Sequence, residues 1–268
     1  MTTNNTTPYR SLQIVIKGSI ASIILSRPEK GNALDEMLIK ELTLAYDRLN
    51  ANPSIRIIVL SGEGRHFCTG ADLTWVQAGK GKDIEEESLA LANLFRTIAT
   101  SSKATIATVQ GSVYGGGIGL FATNDFVVAS REAIFAFRDA RLGLVPGTIA
   151  PYIVRRTGAG KALQLMLTGR RFPTLEAWQI GLVDEVARNV MPHEKTNQLT
   201  EKILFGGPEA QLAIKEMINT LRPPVDEFTR DYSAGVLTRA RGSAEAAEGI
   251  KAFFEKRRPD WTKFTNQR

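Results

Sequence analysis

Two stretches of this chain suggest chemistry done by the backbone. In "QGSVYGGGIGLFATND" (110–125) five glycines fall within nine residues, and in "GEGRHFCTGADL" (62–73) Gly70 precedes Ala71 where a helix could begin. Bare backbone at a helix N-terminus lets a ligand oxygen approach unsatisfied N–H groups, and the helix dipole favours negative charge there. That is half of an oxyanion hole. A lone Gly-Gly-Gly is better explained by a helix packed tightly on a sheet. A second donor, the Ala71 N–H in its own strand-loop-helix junction, changes the balance, because two donors can converge on one oxygen. Each donor aimed at developing charge is worth about 10² to 10³ in rate.

Other residue patterns lead less far. Gly117-Ile118-Gly119-Leu120-Phe121-Ala122 matches the dinucleotide pattern G-x-G-x-x-G/A, with Asp139 about twenty residues on. "GSVY" separates it from the preceding strand, where a nucleotide turn needs its first glycine at the strand tip, so the match is set aside. His66 and Cys68 flank the first loop, but the other histidine, His193, is distant, which argues against a zinc site or a Cys-His nucleophile. Arg138 and Arg141 stand beside Asp139 and suit either a surface salt bridge or the recognition of a substrate carboxylate.

The elements that would position these residues alternate. "LQIVIKGSIASIILSRP" reads as a hairpin turning at Lys17-Gly18-Ser19. Residues 33–50 place Leu34, Leu38, Leu42, Ala45 and Leu49 on one helical face, and "IRIIVLSG" reads as a buried strand. "GKGKD" reads as a loop tip, and Asp83 with Glu86 as a capping box opening the next helix. "ATIATVQ", "DFVVAS" and "AIFAF" are further strands, so the expectation is an α/β domain with a largely parallel sheet. Beyond about residue 191 the chain becomes a series of amphipathic helices whose apolar faces need a partner, which predicts an oligomer. The expected division is a tail at 1–10, a core at 11–190 and a helical region at 191–268.

Composition narrows the class. A chain of 268 residues, 43% hydrophobic, with one cysteine, fits a globular protein of a reducing compartment; no apolar run is long enough to span a membrane and the start reads as no leader, so cytoplasm is expected. The formal charge of +6 attracts anions, but the basic residues are scattered rather than interleaved with aromatics, so nucleic acid is not the expected partner.

Five ordered motifs, "HFCTGADL", "VQGSVYGGGIGL", "FRDARLGLVPG", "TGRRFPTLEAWQIGLVDEV" and "AFFEKRRPDW", resemble the enoyl-CoA hydratase/isomerase (crotonase) family over nearly the whole chain. "CTGADLTWV" and "RLGLVPGTIAPYIVRRTG" are most similar to bacterial 3-methylglutaconyl-CoA and isohexenylglutaconyl-CoA hydratases. The resemblance implies an α/β, crotonase-like spiral of strand-strand-helix repeats with a C-terminal helical region that builds trimers, often paired into hexamers. It implies an acyl-CoA substrate whose thioester oxygen is held by the N–H groups of Ala71 and Gly116, with coenzyme A entering as part of the substrate and no separate cofactor or metal. Matching positions for the CoA moiety are Lys30, Ala33, Thr69, Asp72, Leu73, Phe253 and Lys256.

The sequence departs from the two-glutamate hydratases of that family. Their first acid, three residues after the middle glycine, corresponds to Gly119 here, and their second to Asp139. Water addition needs a base for water and an acid for the α-carbon, whereas moving a double bond needs one group that shuttles a proton. The expected activity is hydration of an α,β-unsaturated, branched or carboxylated acyl-CoA with Asp139 as acid/base. The alternatives are a Δ3-Δ2 isomerase using Asp139 alone, an acyl-CoA decarboxylase, and a non-catalytic RNA-binding relative.

Overall fold

The structure is a computed structural model, and it describes residues 9–79, 82–188 and 192–264. Strand β1 (Leu12–Lys17) turns at Gly18 into β2 (Ile20–Leu25), with which it pairs antiparallel, as the hairpin reading expects. Helix α1 (Glu36–Ala51) and the fully buried strand β3 (Ile57–Gly62) follow, then α2 (Leu73–Ala78) and α3 (Lys82–Ala99). Strand β4 (Ala104–Val109) leads through the short β5 (Ser112–Tyr114) into α4 (Gly116–Ala122). The same order recurs in β6 (Phe126–Ser130), β7 (Ile134–Ala136), a 3-10 turn at Asp139–Leu142, and α5 (Ala150–Thr168). After β8 (Phe172–Pro173), α6 (Thr174–Gln179) and β9 (Glu185–Ala187) come four helices: α7 (His193–Phe205), α8 (Pro208–Leu221), α9 (Glu227–Arg241) and α10 (Ala244–Phe254).

The main sheet runs β1-β2-β3-β4-β6-β9, parallel from β2 onward, and a second sheet runs β5-β7-β8. The β4–β5–α4 and β6–β7–α5 units therefore each give a long strand to one sheet and a short one to the other before a helix closes the turn. Both faces of the large sheet are covered at its centre, which is why β3 and β4 are buried almost continuously rather than in alternation. The small sheet is locked to α4 by aromatic contacts, with Phe121 edge-on to Phe135 at 5.4 Å and Phe135 tilted against Phe172 at 5.7 Å. Such pairs add about 0.5–1.5 kcal/mol each beyond the area they bury.

Two local expectations are corrected. Leu34 fits the helical face of α1 by spacing, yet the helix begins at Glu36 because Asp35 caps it, its carboxylate accepting the Leu38 N–H. Leu34 instead forms a parallel bridge with Ala71. Asp83 does not open α3, which already includes Lys82, so the capping box fails; part of the expected loop tip, residues 80–81, lies outside the described residues. Among the described residues, no helix is long and apolar enough to cross a membrane.

Candidate active site

The bridge at Leu34 orients the first loop. Leu34 N–H donates to Gly70 O at 2.8 Å and Leu34 O accepts from Asp72 N–H at 2.8 Å. A residue bracketed in this way turns its own N–H to the opposite side, so the Ala71 N–H points away from Leu34. Gly70, at φ 99°, lies so close to the second loop that a Cβ there would sit 2.8 Å from Tyr114 O. Gly117 presses on Cys68 O. The two glycine stretches therefore pack backbone against backbone, and the strand-helix junctions expected to converge do so.

At the second junction Gly115 (φ 43°) turns the chain into α4 and donates its N–H to Ala136 O at 3.2 Å. Gly116 follows as the first residue of the helix. Neither the Gly116 N–H nor the Ala71 N–H donates to any described residue. Both residues line a cleft of about 800 Å³.

Asp139 enters the same cleft from the 3-10 turn that follows β7. Its carboxylate faces the bare α-carbon of Gly115, where a Cβ would lie 3.3 Å from Oδ2. That oxygen is sealed from solvent and has no hydrogen-bond partner among the described residues. Burial raises the carboxyl to about 6, opposed by its own backbone N–H. A carboxylate at about 6, beside two free N–H donors, is poised to give and take protons near neutral pH.

The place of the missing acid is filled. A side chain on Gly119 would run into Ile149 Cγ2 and come within 2.9 Å of Phe95 Cζ, so apolar atoms occupy the room that a glutamate would need.

Lys30, Ala33, Thr69, Asp72, Leu73 and Phe253 line the same cleft. Asp72 caps α2 through the Thr74 N–H at 2.9 Å, and Thr69 Oγ1 donates to Gly31 O at 3.2 Å. Lys256 does not line it. Helix α10 ends at Phe254, Lys256 turns at φ 54°, and Arg257 and Arg258 face the cleft in its place. Arg257 is engaged by Glu248 at 2.6 Å, whereas the Arg258 side chain has no partner among the described residues. The run "EKRR" marks this basic rim, but a helical register does not tell which of its residues faces inward once the helix has stopped.

Arg138 and Arg141 also line the cleft. Arg138 lies 5.5 Å from the centre of the Tyr114 ring and pairs with no described carboxylate; Arg141 donates to Thr168 O at 3.1 Å. His66 is a strut between the two loops, its Nδ1 accepting the Ser112 N–H at 3.0 Å, and burial followed by the Arg65 charge lowers its pKa. Cys68 is buried, its thiol pushed up to about 12. Neither is placed to act as a nucleophile, and among the described residues there is no cluster of histidine, cysteine and acid that could hold a metal.

The family model described as enoyl-CoA hydratase/isomerase matches residues 15–265. The enoyl-CoA hydratase AKT6-1 of Alternaria alternata is 33% identical over 90% of this chain and 80% of its own. The carnitinyl-CoA dehydratase of Proteus mirabilis is 31% identical over 94% of this chain and 98% of its own. The crystal structure of an enoyl-CoA hydratase from Mycobacterium avium superposes with a TM-score of 0.83 at 29% identity, covering 94% of this chain and 99% of that one. With its two-sheet spiral and bare-backbone cleft, this chain has the crotonase fold and belongs to the enoyl-CoA hydratase/isomerase family of enzymes.

Proposed function

We propose that this enzyme hydrates an α,β-unsaturated acyl-CoA, and that Asp139 is its acid/base. The observation that carries the reading is the Asp139 carboxylate, its Oδ2 sealed and unpartnered, in the same cleft as the free N–H groups of Gly116 and Ala71. The thioester oxygen accepts both N–H groups. Water's oxygen bonds to the β-carbon while Asp139 takes its proton, negative charge collects on the thioester oxygen as the enolate forms, and the α-carbon then recovers a proton from Asp139. Lys30, Ala33, Thr69, Asp72, Leu73 and Phe253 hold the CoA moiety at the mouth, with Arg258 in the part expected of Lys256.

The acyl group is branched and carboxylated in this reading, similar to a 3-methylglutaconyl group. Arg138 supports it as a guanidinium that lines the cleft next to Asp139 in sequence and pairs with no described carboxylate. The assembly is a trimer or a pair of trimers formed by the C-terminal helices, whose Phe205 (96% exposed) and Phe228 (78% exposed) are too apolar to face water.

The test is mass spectrometry of products from 3-methylglutaconyl-CoA, crotonyl-CoA and a 3-enoyl-CoA. A gain of one water, lost in Asp139→Asn, is expected. Arg138→Gln should raise KM for the carboxylated substrate and leave that for crotonyl-CoA unchanged. The filled space at Gly119 favours a second reading, a Δ3-Δ2 isomerase with Asp139 as sole shuttle. Isomerisation of the 3-enoyl-CoA with no hydration of the other two substrates would select it.

A further inference from the structure

Helix α2 follows directly on Ala71 and its capping neighbour Asp72, and at six residues it is too short to be stable by itself. Two sets of contacts from elsewhere in the chain fix it. In the first, Val76 joins Leu144 and the α10 residues Ala246 and Ile250 in an apolar cluster, with Ala71, Leu73 and Leu142 packed against it. That cluster ties α2 to the turn that carries Asp139.

The second is built by Arg241, the last residue of α9. Its guanidinium stands 5.1 Å from the centre of the Trp75 ring, donates to Val76 O at 3.5 Å and pairs with Glu87 of α3 at 2.6 Å. The two side chains are 4% and 17% exposed, so the pair is held away from water. Gly79, the residue after α2, gives it room, because a Cβ there would lie 2.8 Å from Arg241 Nη2 and 3.1 Å from Glu87 Oε2. A guanidinium gains more from an indole face once it is desolvated, and a cation at the C-terminal end of a helix meets the carbonyl dipoles. Arg241 does both for α2. A buried ion pair is often no more stabilising than apolar groups of its volume, but its directional bonds hold one arrangement. None of Arg241, Glu87 and Trp75 lines the acyl-CoA cleft.

We propose that Arg241 is a positioning residue for the reaction: pinned by Glu87, it seats Trp75 and the end of α2 and so sets where the Ala71 N–H points. The inference rests on the reading of Ala71 as a donor to the thioester oxygen. Ala71 precedes Trp75 by four residues, about one helical turn, so a shift of α2 reaches the donor. A misplacement of about 1 Å can cost about 10²-fold in rate. The loss falls on charge that develops in the transition state, not on substrate binding.

The experiment uses the full chain, as wild type, Arg241→Gln and the Arg241→Gln/Glu87→Gln pair, at a temperature where circular dichroism shows all three folded. The pair leaves no buried acid without a partner, so its thermal midpoint should lie above that of Arg241→Gln. Two readouts are followed. One is steady-state hydration of crotonyl-CoA; the other is the near-ultraviolet absorbance of bound acetoacetyl-CoA, a β-ketothioester that ionises to its enolate more readily when N–H groups hold the thioester oxygen. In both variants kcat should fall by about 10- to 10²-fold with KM within about threefold of wild type, and bound acetoacetyl-CoA should ionise about tenfold less readily. A higher midpoint in the pair without recovery of kcat or of the enolate supports positioning. The proposal is overturned if kcat and the enolate recover together with the midpoint, if neither changes in the variants, or if KM rises while kcat holds. A wild type that neither hydrates crotonyl-CoA nor ionises acetoacetyl-CoA removes the donor reading and this proposal with it. A wild type that ionises acetoacetyl-CoA without hydrating crotonyl-CoA counts against the hydratase reading alone, and the enolate signal then decides for or against Arg241.

Discussion

In its proposed role as acid/base, Asp139 sets activity and stability against each other. Its carboxyl stands at about 6 in the fold, above the ordinary aspartate value of 3.8, so the native state keeps a proton that the unfolded chain has released. Its contribution to stability is full below about pH 4 and is lost as pH rises through 6, a decline of roughly 3 kcal/mol. Asp139→Asn should abolish that decline, so its gain over wild type in urea unfolding is larger at pH 8 than at pH 4.5. The same substitution should lower kcat by about 10² to 10⁴ and remove a limb near pH 6 from the pH profile. Gly119→Glu tests the neighbouring position. Overlap with Ile149 and Phe95 predicts a loss of about 1–3 kcal/mol by overpacking, seen as a lower thermal midpoint, with no gain in hydration rate.

At the scale of elements, α4 carries the Gly116 donor at one end and is anchored at the other. Arg156 donates to Ala122 O at 2.9 Å and Asn124 O at 2.6 Å, and pairs with Asp184 at 3.1 Å. Arg156→Gln strands the last carbonyls of α4 and an acid of the β6–β9 edge, predicting a loss of about 2–4 kcal/mol. In stabilising solutes that keep it folded, kcat should fall more than KM rises, measured by steady-state kinetics. Periodicity made these elements legible where burial follows sequence spacing, as in the β1–β2 hairpin and the face of α1 from Leu38 to Leu49. It failed at Leu34, whose bond to Gly70 joins residues far apart in sequence. The candidate cleft was legible through glycines, since bare backbone is a sequence signal, but the lining beyond α10 was not, because Lys256 lies where the chain leaves its helix and Arg257 and Arg258 line the cleft instead.

For the whole molecule, charge collects where the substrate's phosphates would enter. Lys30, Arg257 and Arg258 rim the cleft on a chain of net charge +6. KM for an acyl-CoA should rise with ionic strength between 50 and 300 mM salt, screened over about 10 Å. Lys30→Ala with Arg258→Ala should flatten that dependence and raise KM several-fold at low salt while kcat holds, as expected for binding shared by ground and transition states.

The seat of α10 has a consequence for synthesis. A Cβ on Gly249 would collide with the Leu142 carbonyl, so the last long helix rests directly on the backbone of the Asp139 turn, and Phe253 and Phe254 wall the cleft. A chain emerging from the ribosome folds its earlier units first. One that has appeared only as far as Gly242 holds both N–H donors and the aspartate, yet leaves them open to water. On the proposed reading the enzyme is therefore silent until α10 has been translated and closes the wall of its reaction chamber.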